Sequence, residues 1–345
     1  MDKCHDDVYL DITIDENNII PGATDVVKIL RPTWPIDKLQ FKIFTNGITN
    51  KLVGVYYPGH YNEMVLVRVY GHKTDMLIDR KAETRNIRIL HKAGYTHSLY
   101  ATFNNGLAYE FLEGDVLTSA TVREPEIYNL VAKRMAQMHK LEPNDSDIIK
   151  EPMLWKKTEQ FMDLMPREFD DPVKQKRFER MIKPHDTLKN EYKKMKDKLI
   201  QLNSPVVFSH NDLLLANILY NKKQNTVTFI DFEYTAFNYQ AFDIANHFAE
   251  FPGVDDIDYS LYPDESLQRS WLRKYLQSYN ESSSVSEDEV TKLYKHIEKF
   301  VLMSHFLWGC WSLIQYKHSS IDFDFLKFAA VRFDECFNRR KILDD

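Results

Sequence analysis

The chain has 345 residues, 43% of them hydrophobic and 13% aromatic, and a net charge of −6. That much apolar material builds a sizeable core and argues against extensive disorder, while the acidic balance gives no general reason to expect nucleic acid or an anionic membrane as partner. Three cysteines, Cys4, Cys310 and Cys336, show no C-x-x-C spacing. They point to a reduced, cytoplasmic setting rather than a disulfide scaffold. The N-terminal stretch is rich in Asp, Glu and Asn and does not read as a secretory signal.

Residues 41–70 read as strands: FKIF (41–44) and KLVGVYY (51–57) flank the turn-like TNGITN (45–50), and MVLVRVYG (64–71) follows. A helix is expected over 79–93, capped by Asp79 and stopped by Gly94. LYATF (99–103), NNG (104–106) and LAYEFL (107–112) form a hairpin. The expectation is a five-stranded lobe over 41–113, with one helix after the third strand and an N-terminal extension, 1–40, before it. From residue 114 to 345 the chain reads mainly helical. Ile127, Leu130, Val131, Met135 and Met138 recur at helical spacing, and the charge-rich stretch 172–201 reads as a solvated helical face. Short apolar strands over 206–220 and 226–234 enclose polar residues, and NESSSVSEDE (280–289) is a polar loop. The apolar run 300–316 contains Ser304, His305, Ser312 and Gln315, so it reads as a buried core helix and not a membrane span. No internal repeat is visible.

The chemistry concentrates in His210-Asn211-Asp212-Leu213-Leu214-Leu215-Ala216-Asn217, an H-x-D-x-x-x-x-N pattern, followed by Ile230-Asp231-Phe232-Glu233. Phosphoryl transfer needs one carboxylate to orient or deprotonate the attacking hydroxyl, and oxygen ligands to hold magnesium on the phosphates. Asp212, Asn217 and Asp231 are of the right types and stand beside short apolar strands that would hold them rigid. The three have to converge for this chemistry. Arg68 lies mid-strand in an apolar setting, where a cation must be paired or bound to an anion.

The segments FTNGITNKL, LVRVYG, FNNGLAYEFLEG, SHNDLLLANIL, IDFEYTAFNYQAFDIANHF and HFLWGCWSLIQ together resemble the choline/ethanolamine kinases. The likeness runs over roughly residues 41–340. It implies an α+β, two-lobed protein-kinase-like fold, with an N-terminal antiparallel-sheet lobe and a larger, mainly helical C-terminal lobe. It also implies ATP and Mg²⁺ as cofactors. The Leu213-Leu214 that follows His-Asn-Asp is the form typical of ethanolamine kinases; choline kinases usually carry Cys-Gln there. The implied activity is phosphorylation of ethanolamine to phosphoethanolamine, the first step of the CDP-ethanolamine route of phospholipid biosynthesis. A choline or dual-specificity kinase is the alternative within the class, and a pseudokinase interaction module the alternative outside it. A homodimer is compatible with the resemblance, although no residue pattern in the chain points to one.

Carried over by motif, Asp212 is the expected catalytic base or hydroxyl-orienting residue, with Asn217 and Asp231 as Mg²⁺ ligands. His210 and Asp243 are expected to brace the loop. Asn46, Gly47, Ile48, Thr49 and Asn50 would form the phosphate loop, although the same residues also suit an ordinary hairpin turn, and no glycine-rich nucleotide motif is present. Arg68 would contact ATP phosphates with Glu83 as its partner; a structural ion pair is the other reading. The backbone of Glu110, Phe111 and Leu112 would meet adenine. Trp308 and Trp311, three apart on one helix face, read by themselves as core packing; the resemblance places them in the amino-alcohol pocket with Tyr234, Phe323, Phe328 and the carboxylate of Glu250, and Asp212 would also touch the acceptor hydroxyl.

Overall fold

The computed structural model describes residues 7–44, 51–71, 76–319 and 321–344. The chain divides into two compact units. One comprises Met1–Asp115 with Asn221–Glu233, the other Val116–Tyr220 with Tyr234–Asp345.

The first unit is built on a six-stranded sheet: β1 (Val8–Leu10), β2 (Gln40–Phe44), β3 (Lys51–Tyr56), β4 (Val65–Val69), β5 (Leu99–Phe103) and β6 (Gly106–Glu110), in the order β1-β5-β6-β4-β3-β2. Five strands pair antiparallel, as expected from the sequence, and β1 adds a sixth, parallel to β5. The lobe is therefore larger than the five strands anticipated. Residues 8–30, expected in an extension, belong to its core. Helix α1 (Ile19–Leu30) buries Ile19, Ala23, Val26 and Val27, spaced as one helical stripe, in a cluster with Val53, Val55, Val65, Val67 and Val69. The Asn105 side chain ties the N-terminal segment down: Ile14 N–H donates to its Oδ1 (3.0 Å), and its Nδ2 donates to the Ile14 carbonyl (2.8 Å).

Strand alternation decides what faces where. Val65, Val67 and Val69 point to the α1 core, so Leu66 and Arg68 point to the opposite face. Helix α2 (Arg80–Lys92) begins where Asp79 accepts from Lys81 and Ala82 N–H. It ends where Gly94, at φ 75°, takes the left-handed conformation that lets Gly94 and Tyr95 N–H bond back to His91 and Leu90 carbonyls.

The second unit is helical: α3 (Pro125–His139), α4 (Met153–Leu164), α5 (Pro172–Met181), α6 (His185–Ile200), α7 (Gln240–Ala249), α8 (Glu265–Tyr279), α9 (Glu287–His318) and α10 (Phe325–Arg339). The charged stretch expected as one helical face is two helices, because Pro184 forces an extended approach and starts α6 afresh. The face of α6 is not wholly solvated either: Leu188, Tyr192, Met195 and Leu199 are buried. Helix α9 starts inside the segment expected as a loop, since Ser286 and Glu289 form a capping box. Residues 300–315 of α9 are all buried, as a core helix requires. Among the described residues no helix is long and apolar enough to cross a membrane. A pair of antiparallel strands, Val206–Ser209 and Ala236–Tyr239, flanks the loop that carries Asp212.

Gly309 lets α9 and α10 approach closely. A Cβ there would stand 2.9 Å from the Phe333 ring, itself buried. Gly309→Val should therefore lower stability by about 1–3 kcal/mol through overpacking, measured by urea unfolding. An unchanged midpoint would show that the helices are not in tight contact there.

Candidate active site

In the first unit a buried charge cluster forms around Arg68. Its guanidinium pairs with Glu83 on α2, with Asp231 (3.0 Å) and with Glu233 (3.5 Å). Arg80 joins it, bonding Glu83 (3.0 Å) and Glu233 (2.9 Å), with its guanidinium over the Tyr70 ring. The expected Arg68–Glu83 pair is thus present within a wider network. Burial opposes the Arg68 charge, but Glu233 and Asp231 outweigh it and hold the pKa above its ordinary value. Burial and the Arg68 charge push the nearby His97 down to about 3.

Asp231 follows the strand Thr226–Phe229 and adopts φ 64°, a left-handed conformation that is rare for a residue with a Cβ and is concentrated at functional sites. Burial and the Glu233 carboxylate push its carboxyl up to about 6, against the pull of Arg68 and Arg80. Carboxylate oxygens of Glu83, Asp231 and Glu233 lie within 4.8 Å of one another. Among the described residues three carboxylates and two guanidiniums meet here, and hard oxygen donors of this type suit magnesium. Of the three side chains Glu83 is fully buried and Glu233 4% exposed, whereas Asp231 is 33% exposed. Asp231 is thus the one an ion reaches.

The Glu110–Leu112 segment is partly committed. Glu110 N–H donates to the Ser98 carbonyl (3.0 Å) and Phe111 N–H to that of Met64 (3.2 Å). A ligand-facing N–H in this segment therefore falls to Leu112. Residues 46–50, the expected phosphate loop, lie outside the described residues; the strands on either side of them, β2 and β3, pair as a hairpin.

In the second unit the 210–217 loop is held from within and from below. Asn217 Nδ2 donates to the Asp212 carbonyl (2.8 Å), which commits the amide nitrogen and leaves its oxygen as the ligand-type atom. Asp212 N–H donates to His210 Nδ1 (3.3 Å). Asn211 adopts φ 68°, tolerable for Asn. Its Nδ2 donates to the carbonyls of Tyr234 (3.0 Å) and Ala236 (3.2 Å), and Asn238 Nδ2 donates to its Oδ1 (2.8 Å). Beneath the loop lies α7, every residue of which is buried. The Asp243 carboxylate accepts the backbone N–H groups of His210 (3.0 Å) and Asn211 (2.6 Å), and bonds His139 Nε2 (2.8 Å). His247, which burial pushes down to about 4, is neutral near pH 7, so its Nδ1–H donates to the Leu213 carbonyl (3.0 Å).

The aromatic residues singled out in the sequence come together in this unit. Tyr234 meets Trp308 edge-on (5.2 Å between centroids), Trp308 meets Trp311 (5.7 Å), and Phe323 meets Phe328 (5.7 Å). Phe325, not anticipated, bridges Trp311 and Phe323. Trp308 Nε1 donates to Asn246 Oδ1 (2.7 Å). Glu250 has a partner the sequence did not suggest: its Oε1 accepts from Arg332 Nη1 (2.8 Å). Arg80, Glu233, Asn211, Asn246, His247 and Arg332 were all missed. The available signals were the two-residue offset of Glu233 from Asp231, and the i, i+3 and i, i+4 spacing of Asn246 and His247 from Asp243.

Burial raises the Asp243 carboxyl, but the His139 ring, with smaller help from His210 and the Asn211 N–H, outweighs it, and the group titrates below its ordinary 3.8. Its stabilisation is therefore fully present above the unfolded value and lost as pH falls through the folded one. Asp243→Asn should lower turnover about 10²-fold by displacing the loop. The urea-midpoint gap between wild type and variant should narrow as pH falls from about 5 toward the folded value of Asp243. A pH-independent gap would show that the Asp243 charge does not carry the effect.

Comparison with known proteins follows the same lines. The sequence model of the choline/ethanolamine kinase family matches residues 41–337. Ethanolamine kinase 1 of Mus musculus is 45% identical, over 96% of this chain and 93% of that protein. Among solved structures, an ethanolamine kinase of Plasmodium vivax superposes with a TM-score of 0.82 at 28% identity, covering 93% of this chain and 89% of that one. A choline kinase of Cryptosporidium parvum gives 0.75 at 28% identity, covering 94% and 96%. The chain belongs to the choline/ethanolamine kinase family.

Proposed function

We propose that this protein transfers the γ-phosphoryl group of ATP to the hydroxyl of ethanolamine, giving phosphoethanolamine, the first step of the CDP-ethanolamine route. The observation that carries this reading is the placement of Asp212. It stands on a loop whose backbone is gripped by a buried carboxylate, and that loop is tied through Asn211 to Tyr234 at the edge of the aromatic cluster. The likeness to ethanolamine kinases from several animals supports the choice of acceptor.

Asp212 orients the hydroxyl and takes its proton as the oxygen bonds to the γ-phosphorus and the bond from that phosphorus to the β,γ-bridging oxygen breaks, releasing ADP. Arg68, whose guanidinium is held by Glu83, Asp231 and Glu233, would exchange part of that pairing for phosphate oxygens when ATP binds, and Leu112 N–H meets the adenine. Asn217 and Asp231 are the residues that would hold Mg²⁺, which when bound neutralises charge on the transferring phosphoryl group. For the acceptor, the faces of Trp308 and Trp311, with Tyr234, Phe323 and Phe328, surround a small cation, and Glu250 supplies the carboxylate. A primary ammonium offers three N–H donors and a quaternary one none, so a carboxylate with a free oxygen favours ethanolamine over choline.

A coupled ADP-release assay with Mg-ATP against a panel of amino alcohols tests this. Ethanolamine should give the highest kcat/KM, at least about tenfold above choline. Equal values for the two would defeat the acceptor choice, and no turnover of any amino alcohol would defeat the reading. Asp212→Ala should lower kcat by about 10²–10⁴; near-native turnover in that variant would remove Asp212 from the chemistry.

A further inference from the structure

Arg332, on α10, is 1% exposed and touches several parts of the proposed amino-alcohol site at once. Nη1 donates to Glu250 Oε1 (2.8 Å) and Nη2 to Ser304 Oγ (3.1 Å). Ser304 Oγ donates to Asn246 Oδ1 (2.8 Å), the same oxygen that accepts from Trp308 Nε1 (2.7 Å). The guanidinium carbon also lies 5.6 Å from the centre of the Phe328 ring. One buried cation thus links an unbroken chain of polar contacts, Glu250–Arg332–Ser304–Asn246–Trp308, drawn from α7 and its C-cap, α9 and α10.

We propose that Arg332 is a positioning residue for the amino alcohol. It holds the Glu250 carboxylate by one oxygen so that Oε2 is presented to the ammonium, and through Ser304 and Asn246 it fixes the orientation of the Trp308 indole. The inference rests on the amino-alcohol reading above. Its physical basis is that a carboxylate as buried as Glu250 is costly without a partner. Arg332 supplies one before any substrate arrives. A guanidinium is suited to this, because its planar fork holds two acceptors in fixed geometry, which an ammonium on a flexible stem does not. Ordering the carboxylate and the indole in advance lowers the cost of binding a ligand with few atoms of its own.

Steady-state kinetics on Arg332→Gln, Arg332→Lys and Ser304→Ala, beside wild type and with folding checked by circular dichroism, tests the proposal. Arg332→Gln should raise KM for ethanolamine about 10–100-fold, the range seen when groups that orient a binding residue are lost, while KM for ATP stays within about twofold. Arg332→Lys should fall between the two, since it can pair Glu250 but not bridge to Ser304. Ser304→Ala leaves the Glu250 pair intact but removes both bonds of the relay, the one from Arg332 and the one to Asn246, and should raise KM for ethanolamine about three- to tenfold. A folded Arg332→Gln whose KM for ATP and kcat worsen in step with KM for ethanolamine would overturn the proposal, because that is the mark of a merely structural role. So would an unchanged KM for ethanolamine. If Arg332→Gln does not fold, Ser304→Ala decides: a selective rise supports the proposal and an unchanged KM overturns it. Failure of the amino-alcohol reading shows in the wild type, which would then turn over no amino alcohol, and removes this proposal with it. Failure of this proposal alone shows in the variants against an active wild type.

Discussion

The Asp243 carboxylate and the two loop N–H groups it accepts are the contact on which the second unit is organised. A loop cannot present a reactive carboxylate in a fixed place unless its own backbone polar groups are satisfied, and buried N–H groups left unpaired are costly. Asp243 satisfies two of them next to Asp212 and is itself held by His139, whose other nitrogen bonds Tyr275. Four residues on, His247 takes the Leu213 carbonyl on the other side of Asp212. Asn246 and Glu250 continue the same face of the helix and its C-cap to Trp308 and Arg332. Positions 243, 246, 247 and 250 follow the spacing of one helical stripe. Helix α7 is thus a fully buried helix with one polar face, and that face ties the 210–217 loop and the aromatic cluster into a single frame.

The first unit answers a different constraint, that of buried charge. Strand β4 is buried along its whole length, and the alternation that puts three valines against α1 puts Arg68 on the opposite face. A guanidinium there needs carboxylates around it, and α2 and the segment following Thr226–Phe229 deliver three. Of the three carboxylates Asp231 is the accessible one, and it is held in a left-handed backbone conformation. These carboxylates are the type of donor that could hold a cation.

How much of this could be read from the sequence depended on how local each determinant is. Helix α2 was legible at both ends because Asp79 and Gly94 act within a turn. The candidate motifs stood out because Asp212, Asn217 and Asp231 are residue types suited to phosphoryl transfer at short spacing. Strand β1 was not: it is three residues long, lies among acidic residues, and is defined by a parallel partner far along the chain. The break between α5 and α6 was legible in principle from Pro184, as was the start of α9 from Ser286-x-x-Glu289. The supporting residues were the least visible. Asn246 and His247 act on partners 62 and 34 positions away, and Arg332 on one 82 positions away, so only the folded chain reveals what they do. Glu250 shows the limit from the other side: its identity was anticipated, but the arginine that holds it was not.

The frame built on α7 can be observed without reference to turnover. Amide hydrogen exchange at His210 and Asn211, followed by NMR, reports directly on the two N–H groups that the Asp243 carboxylate is held to accept. Strong protection of both amides in the resting protein, lost when Asp243 is replaced by alanine while the amides of α9 stay protected, is the result this account predicts. Exchange at rates typical of an open loop in the unaltered protein would contradict it.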